Sequence, residues 1–90
     1  MTKEVAQTFH DLHTVLAKRA RELASLHAAI AGHVGMVDPQ LSELHAAAGV
    51  CHGDQATYHE ACCKQLVAEH EIEASKAMDI GELYKALGGA

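Results

Sequence analysis

Eight histidines and three cysteines are the side chains of this 90-residue chain best able to do chemistry. The histidines stand at positions 10, 13, 27, 33, 45, 52, 59 and 70, and the cysteines at 51, 62 and 63. A zinc or copper ion needs imidazole and thiolate donors at about 2.0 to 2.3 Å from one centre, so ligands must lie three or four residues apart on a helix or converge from two helices. His10 and His13 are three apart, and His59 precedes Cys62 and Cys63 by three and four. His10, His13, His59, Cys62 and Cys63 are therefore the candidate ligands of a mixed zinc or copper site. No C-x-x-C, H-E-x-x-H or Glu-x-x-His motif accompanies them. The competing reading makes the histidines polar bulk on half-exposed helix faces and the cysteines small buried residues of an Ala-rich interface.

Other chemistries find less support. A Cys and a His on adjacent helical turns are the minimum for an activated thiolate, but no Gly-rich oxyanion or phosphate loop follows a strand pattern, so catalysis is not expected. An odd number of cysteines, two of them adjacent, excludes a disulfide scaffold. A pH switch is a further reading, because facing imidazoles repel once protonated below about pH 6.5.

Two long helices would have to position these groups. From Lys3 to His33 the chain has no Pro, and no Gly before Gly32, while Ala, Leu, Glu, Lys and Arg dominate. This predicts a helix over 3–33, a rod of about 46 Å. Val5, Phe9, Leu12, Leu16, Leu23, Leu26 and Ile30 fall on alternating three- and four-residue steps, interrupted by Arg19, and form a heptad seam. Gly35, Asp38 and Pro39 mark a turn over 34–38, with Asp38 placed to cap a second helix and Pro39 at its first position. That helix is predicted to run continuously over 39–75, past Gly49 and Gly53, which with Ala46 and Ala56 let a neighbouring helix approach closely; the alternative is a short loop over 49–54. The segment Met78-Asp79-Ile80-Gly81-Glu82-Leu83 resembles a capping box with a hydrophobic staple, predicting a short helix over 80–87 that ends at Gly88.

A chain that turns near residue 36 sets residue i level with residue 72 − i. His13 then meets His59, His10 meets Cys62, and His27 meets His45. His45, His52 and His59 recur every seven residues as one stripe, and His13 and His27 share a stripe flanking the Leu seam. Lys18, Arg19 and Arg21 form the one basic cluster and fall level with Asp54.

The two helices are mismatched in bulk: between Leu44 and Leu66 the second offers only Val50 and Tyr58 as large apolar residues. A lone hairpin would leave the first helix's seam half exposed, and such a surface usually marks an interface. The expected fold is all-α: a single domain over 1–90, a long antiparallel hairpin plus a short C-terminal helix, dimerising into a four-helix bundle; the alternative is a monomeric three-helix fold in which the C-terminal segment covers the seam. Its interface would use Phe9, Leu12, Leu16, Arg19, Leu23, Leu26 and Ile30.

With 12 acidic and seven basic residues the net charge is −5, which opposes phosphate neutralisation and argues against nucleic-acid partners. The first residues lack the apolar run of a signal peptide or a spanning helix, so no membrane association and a cytoplasmic location are expected. The segments Leu44-His45-Ala46-Ala47-Ala48 and Tyr58-His59-Glu60-Ala61-Cys62-Cys63 resemble the small His- and Ala-rich helical proteins encoded by phages and prophages. The resemblance is one of texture over about half the chain, and it implies a binding or blocking role and no transferable catalytic residue. The functional expectation is a non-catalytic interaction protein, an adaptor or inhibitor that acts as a homodimer on another protein; the alternative is a zinc or copper carrier or sensor.

Overall fold

The computed structural model describes residues 1–72 and Lys85. Two helices, α1 (Lys3–Val34) and α2 (Pro39–His70), each of 32 residues, pack against one another as a hairpin. Among the described residues there is no strand, and no helix is long and apolar enough to cross a membrane. The predicted short helix over 80–87 lies, apart from Lys85, outside the described residues.

Both helices start on a side-chain cap. Thr2 Oγ1 accepts from the Val5 amide at 3.2 Å, and Asp38 Oδ1 accepts from the Leu41 amide at 3.0 Å, each satisfying one of the orphan donors of a first turn. Pro39 occupies the first position of α2, as expected from its missing N–H. The turn between the helices closes on Val34, whose carbonyl accepts from Val37 at 3.0 Å and Asp38 at 2.8 Å. The Ser42 hydroxyl then donates to the Ala31 carbonyl at 2.7 Å and ties the start of α2 to the end of α1. α2 is continuous through both glycines but stops at His70, five residues short of the predicted end. Glu71 turns into the left-handed region at φ 52° and its amide reaches back to the Val67 carbonyl, which ends the helix.

The face that each helix buries differs from the one its large residues suggest. On α1 the positions turned to α2 are Ala6, His10, His13, Ala17, Ala20, Ala24, His27 and Ala31; on α2 they are Ser42, His45, Gly49, His52, Ala56, His59, Cys63, Leu66 and His70. All are buried or half-buried, and all fall on alternating three- and four-residue steps. This seam is built mainly from small residues and histidines, with Leu66 near its far end; Val15, off the seam, and Ile72 are buried as well. Ala6 and Ala56 are wholly buried, and among the described residues no large side chain is fully buried. Gly49 explains how closely the rods approach: a Cβ there would lie 3.2 Å from the Ala24 carbonyl oxygen and 3.6 Å from the His27 Cβ. The second glycine, Gly53, has open space at the same point. Only the first serves helix approach.

Candidate interaction face and histidine seam

Every residue of the Leu-rich seam sits one position before a residue of the buried seam, which on an α-helix is a rotation of about 100°. In an antiparallel pair, a one-residue step back rotates both helices toward the same side of the hairpin. Phe9, His13, Cys62, Gln65 and Glu69 accordingly line one cleft, whereas Thr14, Lys18, Arg21, Ser25, Glu60 and Lys64 line another on the opposite side. The first side is apolar. Val5, Phe9, Leu16, Leu23 and Leu26 of α1 are 37 to 56% exposed, Leu41, Leu44 and Tyr58 of α2 are 39 to 64% exposed, and Leu12 and Ile30 are half-buried among them. The second side is charged, and there Arg21 and Glu60 pair across the helices.

Arg19 alone brings a charge into the middle of the apolar side, at the heptad position between Leu16 and Leu23. It is tied locally to Glu22 at 3.3 Å and stays solvated, with 62% of its side chain exposed. Its ion pair is with Glu22 and not with Asp54, the residue expected near the level of the basic cluster as a whole.

The seam itself carries two histidine rungs. His13 Nδ1 stands 2.8 Å from His59 Nδ1, and His27 Nδ1 stands 2.9 Å from His45 Nδ1, both in the register expected from the turn. The ring centroids are 5.0 and 5.1 Å apart, about as far as nitrogens in contact permit, so the two Nδ1 atoms of each rung meet nearly head-on. That is the geometry of an N–H···N hydrogen bond, with one ring donating and the other accepting. His52 stacks on His27, centroids 5.2 Å apart and planes 10° from parallel, and meets Gln55 Oε1 at 3.1 Å. Tyr58 packs edge-on to both His13 and His59. Burial, then the facing His59, then His10 lower the His13 pKa below 6.5. A hydrogen bond to Cys62 raises that of the Tyr58 hydroxyl.

The five candidate metal ligands are drawn to one end of the hairpin but do not converge. His13 and His59 face each other. His10 is buried, its Nδ1 has no hydrogen-bond partner and lies 3.7 Å from Asp11 Oδ1, and its carbonyl accepts from the Cys63 thiol at 3.6 Å. Cys63, not Cys62, is thus the residue level with His10, and its sulfur also meets Thr14 Oγ1 at 3.5 Å. Cys62 lines the cleft on the apolar side. Among the described residues no three His, Cys, Asp or Glu side chains are grouped so as to hold a metal ion.

Two features went unread in the sequence. One is the small-residue heptad, whose signal was the Ala, Gly and Ser spacing itself. The other is a repeated dyad: Leu12-His13, Leu26-His27, Leu44-His45 and Tyr58-His59 each join an apolar residue of the exposed face to a histidine of the seam, 14 residues apart on each helix. No family model matches the chain, and no curated protein or solved structure shows significant similarity to it.

Proposed function

We propose that this chain is a non-catalytic interaction protein whose apolar hairpin face docks on helices, and that its first partner is a second copy of itself in a four-helix bundle. The observation that carries the reading is the size of the exposed apolar face. Its eight outward residues, six of them Leu or Val, are each 37 to 64% exposed, together nearly four whole large side chains, which comes to roughly 600 Å² at the lower end of the range for aromatic side chains, about 150 Å² each. A standard interface takes about 800 Å² per partner. Apolar faces on monomers are rarely larger than a few hundred Å².

Self-association is favoured over a foreign partner by the spacing of the anchors. Leu12 and Tyr58 flank one histidine rung, Leu26 and Leu44 flank the other, and the rungs are four turns apart on both helices. A two-fold rotation that carries one rung level onto the other therefore lays apolar rows on apolar rows. An adaptor or inhibitor role toward a further protein would use the same face or the charged one.

Sedimentation equilibrium tests the proposal. The wild type should behave as a dimer at micromolar concentration. Leu23→Glu should give a monomer or an unfolded chain, since two copies of the substitution would place unpaired carboxylates in a desolvated interface. A wild type that stays monomeric at high micromolar concentration sinks the reading, as does a Leu23→Glu protein that remains a fully helical dimer.

A further inference from the structure

We propose that the His13–His59 and His27–His45 rungs form a protonation latch, which holds α1 against α2 while each rung carries at most one extra proton and releases them when both rungs take a second. The inference rests on the docking face read above, because it makes that face pH-dependent.

The head-on contact is the starting point. With both rings neutral, one Nδ1 donates its hydrogen to the lone pair of the other; with one ring protonated, the same contact persists as a charge-assisted bond. A second proton sets N–H against N–H and cation against cation at 2.8 and 2.9 Å. The rung then has no bonded arrangement left. Escape within the closed seam is restricted, because His27 is already stacked on His52. No carboxylate among the described residues pairs with any of the four rings. The titratable groups that face His13 and His59 are His10 from α1 and Tyr58 and Cys62 from α2, with Glu69 and His70 paired at the edge of the same cleft. His27 and His45 face His52, which meets Gln55.

Between the rungs the seam resists separation weakly. It consists there of Ala17, Ala20, Ala24, Gly49, His52 and Ala56, which lose little apolar burial when the rods part, while Leu66 and the Ser42–Ala31 hydrogen bond lie beyond the rungs at the two ends of the hairpin. Motion there reaches the docking face directly, since Leu12, Leu26, Leu44 and Tyr58 each precede a rung histidine in the chain. The His13 pKa shift agrees in sign. It lies below 6.5 in the fold, so the stability it contributes is present above that value and is lost as pH falls through 6.5 toward the folded value.

The test is a titration from about pH 8 to about pH 5 of three proteins: the wild type, His45→Gln/His59→Gln and His33→Gln. Gln keeps a polar partner at each rung but cannot take the second proton, and His33 is an exposed residue outside the seam. Ring nitrogen NMR follows each histidine, cross-seam contacts between the Tyr58 and His13 rings report closure, and sedimentation reports the dimer. In the wild type and in His33→Gln each rung should load in two separate steps, cross-seam contacts should vanish with the second, and the dimer should weaken by about tenfold or more. In the double variant the dimer should change by less than about threefold. If the double variant does not fold, His59→Gln alone should remove the second step at one rung and leave it at the other. Single-step titration of all four wild-type rings, or a double variant that loses its contacts over the same pH range, overturns the latch. A wild type that is monomeric throughout refutes the docking reading, while ring titration and Tyr58–His13 contacts in that monomer still decide the latch.

Discussion

Gly49 and Gly53 stand one turn apart on α2, yet a methyl group added to each meets different surroundings. At Gly53 it meets nothing within 4 Å, so Gly53→Ala should stabilise the protein by about 0.5 to 1 kcal/mol through lower backbone entropy in the unfolded chain. At Gly49 the added carbon lies 3.2 Å from the Ala24 carbonyl oxygen, a backbone atom that cannot swing aside. The rods must then part slightly, which offsets the helix-propensity gain. Gly49→Leu should go further and cost about 1 to 3 kcal/mol by overpacking. Urea denaturation of the variants checks both signs; equal effects at the two positions would mean that the helices do not approach most closely at Gly49. The histidines repay the same local attention. Their number was plain in the composition, but which nitrogen faces which ring follows from rotamers on both helices together.

At the scale of the element, each helix is shaped more by its ends than by its middle. Thr2, Asp38 and Pro39 set the starts. The end of α2 is set by Glu71, the one described non-Gly residue with positive φ. A side chain in the left-handed region carries a steric cost that Gly avoids. Glu71→Gly should therefore raise stability by about 0.5 to 1 kcal/mol without lengthening the helix, and thermal denaturation with far-ultraviolet circular dichroism measures both. A longer helix in this variant, or a loss of stability, would show that Glu71 is held by its side chain. The sequence placed the start of α2 correctly because caps have a residue signature. Its end lies five residues before the predicted position 75, because nothing in Glu71-Ile72 advertises a left-handed turn.

At the scale of the molecule, the hairpin is amphipathic across its faces, with Arg19 the lone charge in the centre of the apolar one. Its guanidinium stays in water beside Glu22 in the isolated hairpin. In the proposed bundle it would meet the facing copy near the middle of the interface, where a solvated charge limits how closely the faces can join and opposes misaligned registers. Arg19→Leu should therefore tighten self-association by about tenfold or more, with a tendency to form species larger than the dimer. Sedimentation velocity across a concentration series reads this. Unchanged or weaker association would place Arg19 in a favourable contact across the interface instead.

What the sequence determined by itself was helicity, the break at Gly35 to Pro39, the antiparallel hairpin and its register. Helix propensity, capping residues and the length of a turn are local, and they were enough to set His13 opposite His59 and His27 opposite His45. Cys63 in place of Cys62 opposite His10 is a one-residue departure from that register. What only the tertiary structure decided was which of two adjacent heptads turns inward. The Leu seam and the Ala, Gly and His seam differ by one residue along α1. A reading that counts large apolar side chains selects the first, because burial of each Leu is worth more than burial of an Ala. The pair of helices selects the second, because only small residues let two backbones come close enough for Ser42 to reach Ala31 and for the histidine rings to meet. How closely two helices approach is a property of both surfaces together, and it leaves the larger residues of α1 facing outward.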